Sequence, residues 1–148
     1  MHRLVEEAER LDVTFEFVRS LSPHHPGNYS HARRHIQILD GMTQTKTVCA
    51  FAHELGHAVY GHEPTLFEHI NQKAERAADE WAAHFLISPE DYRAAEARYG
   101  LHLDWIAQEL GVLERLVVAF ERTLLRIGDS VYVRPKLGVG QWTAQYSA

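Results

Sequence analysis

Apolar residues recur along the chain with two periods, and the switches between them outline its elements. Leu4, Val5, Ala8 and Leu11 fall at helical spacing, after which Val13, Phe15 and Phe17 alternate with Thr14, Glu16 and Val18. Side chains share a face about every 3.6 residues in a helix and every second residue in a strand, so the chain should open with a helix over 3–11 and a strand over 13–18. Pro23, Pro26, Gly27 and Asn28 mark 22–30 as a loop, and the alternation returns over 34–39 as a second strand ending at Asp40-Gly41. Over 45–60, Val48, Ala52, Leu55 and Val59 recur at intervals of three and four, which predicts a core-facing helix with Gly61 as its stop.

The second half reads as mostly helical. A helix over 66–86 would bury Ala74, Ala78, Trp81 and Phe85, and Ser88, Pro89 and Asp91 resemble the N-cap, first-turn proline and capping-box acid of a helix closing at Gly100. Helices over 104–110 and 113–126 break near Gly111, and a short strand at 131–133 precedes a C-terminal tail over 135–148 that holds Pro135, Gly138 and Gly140. These elements predict one α+β domain over 1–134, with a small mixed or antiparallel sheet packed on the 45–60 helix.

Composition narrows the function classes. The chain has 148 residues, 45% hydrophobic and 24% charged, which suits one domain with a real core. A net charge of -5 gives no long-range attraction to nucleic acid or an anionic membrane, so neither is expected as a partner. The single cysteine, Cys49, excludes an intramolecular disulfide and a cysteine-rich zinc cluster. It suits a reducing compartment, by default the cytoplasm, and its apolar surroundings read as those of a packed thiol. Glu6, Glu7 and Glu9 interrupt the apolar core a signal peptide would need, and the longest apolar runs fall far short of the ~20 residues of a membrane span.

Histidine is the exception, at 11 residues. His53-Glu54-Leu55-Gly56-His57 is an HExxH motif inside the 45–60 helix, where a four-residue step stacks both imidazoles on one face, able to chelate one Zn²⁺. Glu54 beside them can take a proton from a water whose pKa the ion lowers to about 7, the arrangement for attacking an amide. A chain this rich in histidine produces the pentapeptide by chance about 7% of the time. Its place in an amphipathic helix, with small Gly56 permitting close packing, adds weight.

A catalytic zinc needs a third protein ligand and an open fourth position. The candidates are His62, Glu63, Glu75 and Asp79. The metzincin extension fails, because Tyr60 and Glu63 stand where its Gly and His would be. Glu75 and Asp79, four apart on the next helix, can both project toward the first. We read Glu75 as the third ligand and Asp79 as the acceptor of a zinc histidine's free ring N–H. The bland alternative for this pair is a solvated acidic face, and for His62 a surface histidine at a helix end.

These residues carry a resemblance. Ala52 to Gly61 (AHELGHAVYG), then Glu75 to Ala83 (ERAADEWAA) and Phe85 to Pro89 (FLISP), resemble the ImmA/IrrE family of gluzincin-type metallopeptidases, whose pattern is HELGH, E-x-x-A-N-x-F-A and L-L-M-P. Asp79 stands where that family usually has Asn, Trp81 where it has Phe, and Ile87-Ser88 where it has Met before the proline. Asp79 brings the pattern closer to thermolysin-like enzymes. The resemblance implies a minimal zincin fold and a zinc endopeptidase, often of phages and mobile elements, that cleaves a helix-turn-helix repressor. Glu54 would be the base, and His53, His57 and Glu75 the ligands. The alternative from another class is a catalytically silent zinc-binding module that sequesters a partner.

Residues 105–120 have helix-turn-helix spacing, yet only Arg115 and Arg122 are basic where DNA would lie, so a structural or docking role is expected. Leu113, Leu116 and Val117 would form the docking face. Tyr60, Tyr92, His62 and Arg76 are candidates for stabilising an oxyanion, and spacing does not choose among them.

Overall fold

A computed structural model of the chain describes residues 1–127, 130–133 and 145–147. Helix α1 (His2–Arg10) buries Leu4 and Ala8 and hands over to strand β1 (Thr14–Val18) through a left-handed turn at Asp12. Strands β2 (Gly27–Ser30) and β3 (His35–Leu39) complete the first sheet. β3 is central, parallel to β1 with Thr14 opposite His35, and antiparallel to β2 with Gly27 opposite Ile38, so the sheet is mixed.

β2 corrects the expectation of a loop throughout 22–30. Gly27, Asn28 and Ser30 have no strand preference, and only Tyr29 is buried, at 8% exposure. The ladder to β3 makes this segment a strand, which local propensity does not report.

Helix α2 (Gln44–Tyr60) lies on the sheet, its Phe51 ring 4.7 Å from that of Phe15, next to Ile36 and Ile38 of the same core. Thr43 caps it, Oγ1 accepting the Lys46 N–H at 3.3 Å, and Gly61 ends it at φ +63°, where a side chain would be strained. Helix α3 (Glu68–Leu86) begins two residues later than expected, because Leu66 is fully exposed and Phe67 is the cap. Its deepest residues are Ala78, Ala82 and Ala83, with Ala74, Trp81 and Phe85 flanking them half-buried.

α2 and α3 touch backbone to backbone. A Cβ on Gly56 would lie 2.8 Å from the Ala78 carbonyl oxygen and 2.9 Å from its Cα. Helix propensity alone favours Ala over Gly by ~1 kcal/mol, but forcing a methyl against a neighbouring main chain costs ~1–3 kcal/mol. Gly56→Ala is therefore expected to lose up to about 2 kcal/mol in urea unfolding; a gain would show that the helices separate freely.

Helix α4 (Pro89–Tyr99) starts as expected, Ser88 Oγ accepting the Asp91 N–H at 3.1 Å. Helices α5 (Leu103–Leu110) and α6 (Glu114–Arg122) turn at Gly111, φ +68°. Leu116 and Val117 are fully buried in the core and Leu113 packs against it, which corrects their reading as a docking face. Cys49 is buried as expected, and its sulfur accepts the Leu113 N–H at 3.4 Å, tying the start of α6 to α2.

α6 stops at Arg122, short of the expected 126. Buried Thr123 donates its hydroxyl to the Phe120 carbonyl at 2.6 Å and accepts from His84 Nε2 at 2.7 Å. The chain leaves as strand β4 (Leu124–Ile127), paired antiparallel with β5 (Ser130–Val133), which pairs with β6 (Gln145–Ser147). A run as short as Leu-Leu-Arg-Ile fits either period, and strand pairing decides it. β5 contains the expected strand at 131–133. Of the tail expected over 135–148, all but Gln145–Ser147 lies outside the described residues, Pro135, Gly138 and Gly140 included. Among the described residues no helix is long and apolar enough to cross a membrane. A small mixed sheet on a motif-bearing helix, with helices following, is a small α+β fold of zincin type.

Candidate metal centre

The Gly56–Ala78 contact sets the site, because the residues that matter flank it on both helices. His53 and His57 lie one turn apart on α2, and Glu75 and Asp79 one turn apart on α3. His53 Nε2 stands 3.0 Å from His57 Nε2 and 3.1 Å from Glu75 Oε2, and His57 Nε2 stands 3.1 Å from Glu75 Oε1. Among the described residues, these three gather donor atoms within 4.8 Å of one another.

Ligands held about 2.0–2.1 Å from a tetrahedral zinc stand about 3.3 Å apart, so two imidazole nitrogens 3.0 Å from each other, each 3.1 Å from one oxygen of the same carboxylate, fit a divalent ion with little movement. The charge agrees with the spacing. Glu54, Glu75 and Asp79 crowd the two imidazoles, with Arg115 as a nearby cation. Burial works against a charge on His53, yet hydrogen bonds to Asp79 and Glu75 and the charge of Glu54 outweigh it and lift its pKa to about 9. Hydrogen bonds from His53 and His57 hold the Glu75 carboxyl well below the usual range, although its side chain is 61% exposed.

Asp79 stands behind the triangle. Its Oδ1 accepts from His53 Nδ1 at 2.8 Å and from Arg115 Nη1 at 3.0 Å. An Asn side chain also offers an Oδ1 to both donors, so Asp79→Asn should alter zinc affinity little. Asp79→Ala should lower it about 10- to 100-fold in a chelator competition. Unaltered affinity in the alanine variant would remove Asp79 from the site.

Glu54 points the other way, toward the sheet. It is 7% exposed, and a Cβ on Gly27 would fall 2.5 Å from its Oε1, so only glycine lets β2 pass so close. Burial raises its pKa, while the His53 and His57 charges oppose the rise. Glu54, both histidines and Glu75 line a cavity of about 600 Å³ with Gly27, Asn28 and Tyr29 of β2, His24 and His25 of the preceding loop, and Arg115.

The other residues singled out in the sequence are dispersed. His62 lies behind His57, and Glu63 lines the cavity. Tyr92 is buried between Glu96 and Glu121, its hydroxyl 2.5 Å from one carboxylate and 3.0 Å from the other, with one proton to share between them. Of the four oxyanion candidates, His62 lines the cavity, and Tyr60, Tyr92 and Arg76 do not. Arg115 escaped the sequence reading as a site residue, since its partner Asp79 is 36 positions away and no local spacing links them.

An HExxH helix with a glutamate from the following helix, under a small mixed sheet, defines a metallopeptidase architecture. The chain belongs to the peptidase family described as the IrrE N-terminal-like domain (Peptidase_M78), which matches residues 6–120, over three quarters of its length. No curated protein matches it.

Proposed function

We propose that the chain is a zinc-dependent endopeptidase that cuts a peptide bond in a regulatory protein, a helix-turn-helix repressor, in the cytoplasm. The observation that carries this reading is Glu54, a buried carboxylate beside the His53–His57–Glu75 triangle that opens into a cavity edged by β2. His53, His57 and Glu75 would hold the zinc ion, which when bound would supply Lewis acidity toward a water and a substrate carbonyl.

The chain's own residues do the rest. An extended peptide can lie along Gly27, Asn28 and Tyr29, adding a strand to the edge of β2 that no other strand among the described residues pairs with. Glu54, its proton affinity raised by burial, takes the proton of the attacking water and delivers it to the leaving amine. Asp79 holds His53 in the tautomer that leaves Nε2 free. The repressor as substrate and the cytoplasm as location rest on the family likeness and on lone, buried Cys49.

The test is to incubate the zinc-loaded chain with a helix-turn-helix repressor from the same genome, starting with any encoded beside its gene, and to follow both by mass spectrometry. Two new repressor fragments whose masses sum to the parent plus one water are expected. Relief of repression with the repressor intact would overturn the reading in favour of a sequestering module.

A further inference from the structure

We propose that His62 is a positioning residue for the metal site, its Nδ1 accepting the Nδ1–H of His57 and so fixing the ring and tautomer of that ligand. The proposal rests on the metallopeptidase reading. His53 and His57 turn their Nε2 atoms toward Glu75 and each other, which leaves both Nδ1 atoms facing outward. His53 Nδ1 meets Asp79, and His57 Nδ1 meets His62 Nδ1 at 3.0 Å. Two facing imidazole nitrogens can share one proton only. With His57 Nε2 reserved for the metal, that proton sits on His57 Nδ1, and His62 carries its own on Nε2.

The fold builds this contact. At Gly61 the chain turns left-handed, and His62 folds back so that its N–H donates to the His57 carbonyl at 3.0 Å. The Tyr60 ring stacks on His62 at 5.2 Å and 25°. On the far side of the turn the His31 ring fills the space where a Gly61 Cβ would sit, 3.1 Å away, and His31 Nδ1 lies 3.0 Å from the Tyr29 hydroxyl. The two ligands are thus supported unequally, His53 by a carboxylate shared with Arg115 and His57 by a neutral imidazole. Carboxylates and carbonyls are the usual partners of a zinc histidine, so the motif gives no hint of this one.

His62→Phe keeps a ring for Tyr60 and removes the acceptor, whereas His62→Asn places an Oδ1 near the lost Nδ1. Zinc affinity of the full chain would be measured by chelator competition, with the visible absorption spectrum of the Co²⁺ form as a second readout. The phenylalanine variant is expected to bind about 10- to 100-fold more weakly with an altered Co²⁺ spectrum, and the asparagine variant to recover most of the affinity and the wild-type spectrum. Should His62→Phe fail to fold, His62→Ala makes the same comparison. Wild-type affinity without the acceptor, or asparagine no better than phenylalanine, would overturn the proposal alone. A wild-type chain that binds no zinc would overturn the metallopeptidase reading together with it.

Discussion

Glu54→Gln is expected to slow peptide hydrolysis about 100- to 10,000-fold while zinc, fold and substrate affinity stay as they are. Glutamine has the size of glutamate, which matters where β2 passes Glu54 within reach of a single added carbon at Gly27. Smaller residues would leave a cavity and larger ones would push the strand away. The substitution removes the proton acceptor and little else, because the ligand triangle is formed without Glu54. Loss of transition-state proton transfer lowers kcat with KM unchanged. Steady-state kinetics on a cleavable peptide, with metal content measured in parallel, checks both halves. Wild-type turnover by the glutamine variant would remove Glu54 as the base.

Glu75→Ala should have the largest effect on the metal, exceeding the about 10- to 100-fold expected from deleting a supporting partner such as Asp79. Two histidines then remain of three protein ligands, and the vacated corner is the solvent-facing one, since Glu75 is the most exposed of the three. That exposure makes the experiment clean. No core contact is lost, so the circular dichroism spectrum of the metal-free protein should scarcely change. Full zinc affinity in Glu75→Ala, with affinity abolished in His62→Ala, would move the third ligand to His62.

Much of this site was legible because its parts are local. The HExxH spacing, the amphipathic period of α2 and the Glu-x-x-x-Asp step on α3 each lie within one helix, where sequence distance and spatial distance agree. The reading failed where partners are distant. Gly27, Asn28 and Ser30 look like loop residues until β3 pairs with them, and Leu124 to Arg126 look helical until β5 does. Arg115 and Asp79 lie on separate helices, and their contact depends on how α6 crosses α3. His62 was visible as a residue near the motif. Its direction was not, because it depends on a left-handed turn at Gly61 that sends the chain back over His57.

The edge of β2, unpaired among the described residues, has a further consequence, for self-association. An open strand edge is a template for any extended chain, another copy of the same protein included. Here the edge is four residues long and starts immediately after Pro26, which has no N–H to donate and whose carbonyl is already taken by the Leu39 N–H at 2.8 Å. In the proposed binding mode a visiting peptide would be held also by the cavity beside the strand, which adds contact that edge pairing alone lacks. Two copies meeting edge to edge would share a ladder of four residues with no such support, and a pairing that short is marginal in water. Brevity of the strand thus disfavours pairing of two copies through this edge, whatever it offers to a substrate.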